Sequence, residues 1–263
     1  MIEQPVYLQG QVAASRVHGE RIDLNTISDL EISPSPAVVW ARRHKPTPEL
    51  EEYRIIRTKV AQHPQNPRLL LVSSADVGDG KSVNAVNLAG MLAVRGGSNV
   101  LLLDGDMRKP TVPKLLGIDG EPGLADILNG SRTLAECCHR VQSNPTLYVV
   151  PAGNADLDAA DLLQTEHWFS VISSMRATFD YIVIDSPPVG AVADYELLEI
   201  VSDGVIFVVR QGHTDRMLCF EAMSHIPTDK LLGVIMNGAK DFLMWKSTRY
   251  YPYPKTSSLA RKL

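Results

Sequence analysis

One octapeptide in this chain has the residue types needed to hold phosphate: Ala75-Asp76-Val77-Gly78-Asp79-Gly80-Lys81-Ser82. Gly78 and Gly80 let the backbone turn so that its N–H groups converge on one point. A helix starting at the lysine adds its positive N-terminal pole there. Lys81 would reach the outer phosphate oxygens of a nucleotide as a point charge, and the Ser82 hydroxyl suits Mg²⁺. Gly78, Asp79, Gly80, Lys81, Ser82 and Val83 are therefore the candidate nucleotide-binding residues.

Two acidic segments could share that site. Leu101-Leu102-Leu103-Asp104-Gly105-Asp106-Met107-Arg108 and Ile182-Val183-Ile184-Asp185-Ser186-Pro187-Pro188 each place an aspartate directly after an apolar run. An aspartate there is costly unless it is paired or metal-bound. Taken singly, each reads as a loop or helix cap. Taken together beside a phosphate loop, they read as an Mg-nucleotide site.

These motifs need a scaffold that brings strand ends to one edge. Strand-like apolar runs are expected at residues 68–73, 99–103, 146–150, 181–184, 204–209 and 231–236, rich in Val, Ile and Leu and without alternation, the pattern of parallel strands covered on both faces. Helical patterns are expected at residues 48–62, 82–95, 168–178, 194–201 and 214–225. The alternation predicts an α/β fold with a doubly wound, mostly parallel sheet, whose ligands gather beyond the C-terminal strand ends. Residues 1–45 read as a flexible leader arm, 46–240 as the nucleotide-binding domain and 241–263 as a tail.

Composition excludes other classes. The chain has 263 residues, 44% apolar, with 26 basic and 30 acidic side chains, which argues against a disordered chain or a disulfide scaffold. Cys137, Cys138 and Cys219 are expected as thiols in a reducing cytoplasm. No signal peptide is read at the start, and the longest apolar runs are strand-sized, well short of the ~18 residues of a membrane helix. No nucleic-acid partner and no integral membrane segment are expected. Charge is uneven: residues 240–263 carry six basic residues against one acid, leaving 20 basic against 29 acidic in the rest. Three of eight tyrosines, Tyr250, Tyr251 and Tyr253, lie in that basic tail.

The three nucleotide motifs together resemble those of the bacterial tyrosine kinases, the capsular and exopolysaccharide tyrosine autokinases, which are P-loop proteins of the deviant Walker A type. Glu51-x-x-Arg54-x-x-Arg57 resembles that family's oligomerisation motif, and Gly123-Leu124-Ala125-Asp126-Ile127-Leu128-Asn129-Gly130 resembles its G-L-x-D-x-L-x-G segment. The resemblance covers about residues 51–238. Partitioning and septum-site ATPases and the nitrogenase iron protein are similar in fold but carry a lysine where this chain has Asp76.

The resemblance implies an ATP- and Mg²⁺-dependent autokinase, phosphorylating Tyr250, Tyr251 and Tyr253 in trans and regulating polysaccharide synthesis and export. It implies Lys81, Asp104, Asp106 and Arg108 as catalytic residues, and Ser82, Asp104 and Asp185 as magnesium ligands. Asp104 takes a base or metal role and Asp106 a metal or water-positioning role. Arg108 either orients the acidic pair or forms a structural salt bridge. Asn237 either contacts adenine or serves a turn. Glu51, Arg54 and Arg57 imply a homo-oligomeric ring, against the alternative of an ordinary charged helix face. The chain resembles the split systems, in which a separate membrane activator of the chain-length or co-polymerase type recruits a cytoplasmic kinase to the membrane. The alternative function is an ATP-binding or ATP-hydrolysing switch that regulates a polysaccharide assembly partner without phosphorylating tyrosine. A membrane-surface ATPase is disfavoured because the tail lacks an amphipathic apolar face.

Overall fold

Runs of Leu, Val and Ile that hide both faces from water form the centre of the protein. The computed structural model describes residues 19–42, 47–94, 97–154 and 158–239. Eight strands, β1 (Ser28–Leu30), β2 (Leu69–Ser74), β3 (Val100–Asp104), β4 (His139–Val141), β5 (Leu147–Val150), β6 (Tyr181–Asp185), β7 (Gly204–Arg210) and β8 (Leu231–Asn237), make one sheet in the order β1-β4-β5-β3-β6-β2-β7-β8. Neighbours are parallel except β4 and β5, which a short hairpin makes antiparallel. The doubly wound, mostly parallel sheet expected from the sequence is the fold observed.

Successive side chains of one strand feed opposite layers, as the period of two requires. Leu69, Leu71, Leu101, Leu103, Ile182 and Ile184 pack on one face, with Trp168, Met175 and Phe179 of or beside helix α7 (Glu166–Thr178). Leu70, Val72, Leu102, Val183, Ile206 and Val208 pack on the other, with helices α1 (Pro48–Ala61) and α2 (Lys81–Ala93). Helix α1 begins as its sequence directs, with Thr47 accepting from the Leu50 N–H and Pro48 at the first helical position. Short helices α3 (Val112–Leu116), α4 (Leu124–Leu128), α5 (Leu134–Cys137) and α6 (Ala159–Leu163) fill the crossovers, and α8 (Ala193–Val201) and α9 (Arg216–Ser224) complete the layers. Cys137 and Cys138 are unpaired thiols buried in the core.

The leader expected as a flexible arm is part of the fold over residues 19–42. β1 extends the sheet edge beside β4, where the Asp29 carboxylate accepts from Arg140 at 2.6 Å and Ser28 Oγ meets His139 Nδ1 at 2.9 Å. Residues 37–40 then strap α2. The Asn87 amide donates to the Ala37 carbonyl and accepts from the Val39 N–H. The buried Trp40 indole donates to the Val86 carbonyl at 3.1 Å. The physical reason for the difference is that these ties are polar and single. They leave no hydrophobic period in a Ser- and Pro-rich sequence, whereas backbone pairing and one large aromatic anchor need none. Residues 1–18 of the expected arm lie outside the described residues, as does the tail from residue 240.

Trp40 fits because its neighbour on α2 is a glycine. Helical Gly→Ala ordinarily stabilises by ~1 kcal/mol. At Gly90 an added Cβ would stand 2.3 Å from Trp40 Cδ1 and 2.4 Å from its Nε1. The ring cannot retreat without giving up its hydrogen bond to Val86. Overpacking of this kind costs ~1–3 kcal/mol and outweighs the helix gain. Gly90→Ala is therefore expected to lower the urea midpoint, measured by tryptophan fluorescence and circular dichroism; an unchanged or higher midpoint would show that the strap lifts away without cost.

Candidate active site

The functional edge is where β2, β3 and β6 end, and strand register decides what meets there. β3 and β6 align so that Asp104 and Asp185 are direct partners. β2 runs alongside β6 and delivers the phosphate loop between them and α2. Gly78 and Gly80 have φ of +91° and +96°, a left-handed backbone that glycine adopts without strain. Gly80 caps α2 without any side-chain hydrogen bond. The amides of the first turn thus keep the capacity to bind an anion.

Lys81 enters this edge almost wholly buried. Its Nζ donates to Asp106 Oδ2 at 2.8 Å and lies 3.8 Å from Asp185 Oδ1. Burial disfavours its charge, but Asp185, Asp106 and Asp104 together outweigh that and raise its pKa. Asp104 is fully buried; one oxygen accepts from the Thr111 and Val112 N–H groups at the start of α3. Burial, with Asp185 next, pushes its carboxyl well above the ordinary range. Asp106 also accepts from the Lys109 N–H at 3.1 Å.

Asp185 is different. It is fully buried, and neither oxygen has a hydrogen bond. Burial pushes its carboxyl up to about 6, against the attraction of Lys81, which favours the anion. A buried carboxylate with no hydrogen bond of its own, beside a P-loop serine, fits Mg²⁺, which takes one or two carboxylates plus phosphate oxygens and water. No three acidic, His or Cys side chains close into a metal cage among the described residues. Lys81, Ser82, Asp104, Asp106 and Asp185 are thus brought together as the sequence implied.

A cleft of about 400 Å³ opens over this cluster, with Gly78, Gly80, Lys81, Ser82 and Val83 on one wall and Pro187, Pro188, Ala191 and Val192 on another. Arg108 and Lys109 also line it. The Arg108 guanidinium donates to both oxygens of buried Asp194, at 2.8 and 3.1 Å, and to Asp158 at 2.8 Å. Of its two readings from sequence, the geometry is that of a salt bridge to α8 and the cap of α6, not to Asp104 or Asp106.

Asp79 and Asn237 stand behind the loop. Asp79 accepts from the Asp76 N–H and from Thr214 Oγ, at 3.0 and 2.6 Å. Asn237 donates to the Asp79 carbonyl at 2.7 Å. Arg210 donates to the Gly78 carbonyl at 3.0 Å, and His213 Nε2 lies 3.2 Å from the Val77 carbonyl. The β7–α9 turn therefore engages the loop's carbonyls. Sequence reading missed Arg210, His213, Thr214, Asp158 and Asp194. Position just past the apolar run of β7 is the one signal that pointed to the first three. Glu51 and Arg54 lie on α1 away from the cleft, exposed and paired with each other at 2.8 Å; Arg57, half-buried, follows one turn on. Tyr250, Tyr251 and Tyr253 fall outside the described residues.

A parallel sheet with a phosphate loop at its switch point and strand-end acids defines a P-loop nucleotide-binding domain of the AAA type. The AAA domain family matches residues 68–216. The chain is 34% identical over 194 residues to the tyrosine-protein kinase YwqD of Bacillus subtilis, covering 72% of this chain and 81% of that one. It is 31% identical over 175 residues to the succinoglycan biosynthesis transport protein ExoP of Rhizobium meliloti, covering 65% of this chain and 22% of that longer one. The crystal structure of the VpsO kinase domain superposes with a TM-score of 0.64 at 28% identity, over 73% of this chain and 95% of that one. The chain belongs to the bacterial tyrosine-protein kinase family.

An acid whose pKa folding raises makes the folded state lose stability as pH climbs from the unfolded value, 3.8, through about 6. The burden of ionised Asp185 is then on the order of 3 kcal/mol at neutral pH. Asp185→Asn is expected to raise the melting temperature of the nucleotide-free protein by roughly 6–12 °C at pH 7.5 and by about half as much at pH 5, while weakening Mg²⁺-dependent nucleotide binding at least about ten-fold. Thermal scans at both pH values check it; equal gains at both would refute the charge argument.

Proposed function

We propose that this chain is an ATP-dependent protein-tyrosine autokinase that phosphorylates its own C-terminal tyrosines in trans. The observation that carries this is Lys81, held by Asp106 and Asp185 at the foot of a cleft floored by a phosphate loop. Phosphoryl transfer through a loose transition state depends on positioning and on charge neutralisation. Lys81 and the amides of residues 78–83 hold the outer phosphate oxygens. Ser82 and Asp185, with Asp104 beside them, would hold Mg²⁺, which would neutralise charge on those oxygens. The bond from the phenol oxygen to the γ-phosphorus forms as the bond to the β,γ-bridging oxygen breaks, and ADP leaves. Asp104, whose carboxyl burial pushes well above the ordinary range, is in this reading the base for the phenol proton or a further metal ligand. Asp106 fixes Lys81 until phosphate competes for the ammonium.

The acceptors are Tyr250, Tyr251 and Tyr253, set among Arg249, Pro252, Pro254 and Lys255. The basic charge of this segment would complement an acidic site on a neighbouring copy. Phosphate on all three would add roughly −4.5 to −6 charges at −1.5 to −2 each, enough to cancel the tail's excess of five positive charges and release it. Glu51, Arg54 and Arg57 supply the subunit contact of a ring. Membership of the family, and the likeness to a succinoglycan biosynthesis transport protein, support a role in exopolysaccharide assembly. The activator is then a membrane protein of the chain-length type. Among the described residues no helix is long and apolar enough to cross a membrane, so recruitment to the inner membrane face would come through that partner.

The decisive assay mixes purified protein, γ-labelled ATP and Mg²⁺, with and without an activator's cytoplasmic segment, and probes for phosphotyrosine. Lys81→Met is expected to abolish labelling. The Tyr250→Phe/Tyr251→Phe/Tyr253→Phe variant is expected to lose it while still binding nucleotide. Full labelling of that variant would sink the acceptor assignment, and ATP hydrolysis without phosphotyrosine would favour a nucleotide switch. Glu51→Ala/Arg54→Ala/Arg57→Ala is expected to reduce the assembly to monomers in sedimentation velocity; an unchanged size would reject the ring contact.

A further inference from the structure

Helix α1 has two faces with different business. Glu51, Arg54 and Ile55 point outward, whereas Leu50, Tyr53, Ile56 and Val60 pack inward beside the core layer that contains α2. Tyr53 alone of these inward residues carries a polar end. Its hydroxyl donates to Asn84 Oδ1 at 2.9 Å. The other end of the same amide, Asn84 Nδ2, donates to the Gly80 carbonyl at 2.9 Å. Asn84 is 2% exposed, so neither bond is readily exchanged for water. Burial pushes the Tyr53 phenol up to about 12, which keeps it a donor at any physiological pH.

Gly80 is the residue on which the phosphate loop turns into α2, and its left-handed backbone has little room. A Cβ there would lie 2.1 Å from Asn237 Nδ2. Its carbonyl accepts both the Asn84 backbone N–H and the Asn84 side chain. Rotation of that peptide would redirect the Lys81 N–H, one of the amides facing the anion site. We propose that Tyr53 is a positioning residue for nucleotide: through Asn84 it fixes the Gly80–Lys81 peptide, and so links the seating of α1 to the affinity of the phosphate loop. The consequence for regulation rests on the reading of α1 as the subunit contact. A neighbour pressing on Glu51 and Arg54 would then act on ATP binding through one hydroxyl and one amide.

The test uses the full chain and a fluorescent ATP analogue with Mg²⁺, titrated at equilibrium. Tyr53→Phe removes the hydroxyl and keeps the ring. It is expected to weaken binding about five-fold, or ~1 kcal/mol, with the melting temperature little changed. Ile56→Val loosens the same inner face without touching the relay. It is expected to lower the melting temperature and leave affinity as it was. Unaltered affinity in Tyr53→Phe overturns the proposal. So does an equal loss of affinity in both variants, which would make the effect one of helix packing. Sedimentation velocity of the unmodified protein is run alongside. A chain that stays monomeric at all concentrations removes the subunit-contact reading, and the comparison of the two variants still decides the relay.

Discussion

Three carboxylates meet one ammonium in a place nearly closed to water, and much of the architecture follows from holding them there. Asp104, Asp106 and Asp185 are each at most 4% exposed, and Lys81 is 7% exposed. Strand register makes this unavoidable, because parallel pairing of β3 with β6 sets Asp104 against Asp185. Like charges at that spacing repel, and burial disfavours each of them again. Two devices offset the cost. The opening of α3 gives Asp104 two backbone donors, and α2 brings Lys81 between Asp106 and Asp185. Asp185 receives no hydrogen-bond donor. In the autokinase reading that cost would be offset when a divalent cation binds, strain at the site becoming affinity.

The helix that delivers Lys81 is consequently the most supported element of the fold. Every residue of α2 except Val83 is buried. Its polar side chains are tied outward, Asn84 to Tyr53 on α1 and Asn87 to the strap at residues 37 and 39. The loop before it is braced from the far side by Arg210, Thr214 and Asn237. These partners take loop carbonyls and the Asp79 carboxylate, which itself holds the Asp76 N–H, and none of them occupies the amides that open α2. Preorganisation of that kind keeps binding from having to order the loop.

The parts of the fold legible in the sequence were those with a one-dimensional signal. β2, β3, β5, β6, β7 and β8 have continuous apolar runs, and each was located to within a residue or two of its observed ends. Lys81, Asp104 and Asp185 were placed at one edge because all three follow such runs, and parallel topology sends strand C-termini the same way. What could not be read depends on pairing across long separations. β1 is Ser-Asp-Leu, with no strand pattern, and exists because β4 lies beside it. The strap on α2 needs Gly90 to match Trp40, fifty residues away, and neither residue announces the other. Arg108 was ambiguous for the same reason: its partners Asp158 and Asp194 are 50 and 86 residues further on. Helices of four or five residues such as α3 and α5 are too short to display a period, and their caps are the sole clue.

In the autokinase reading, the charge balance of the cleft bears on what a neighbouring copy would supply. In transferring phosphate, negative charge spreads over oxygens that the enzyme must neutralise. Within this chain the buried site has Lys81 already facing three acids, Asp76 occupies the loop position where related ATPases place a lysine, and the Arg108 guanidinium is engaged by Asp194 and Asp158. Lys109 lines the cleft as a further cation, through a loop whose backbone is bonded to Asp106. Among the described residues the cleft is thus weakly furnished with cations for the transition state. In the autokinase reading, a tail carrying Arg249 and Lys255 on either side of its tyrosines brings positive charge with the acceptor. Substrate and electrostatic complement would then arrive together, and once phosphorylated the same segment would carry the charge that drives it out.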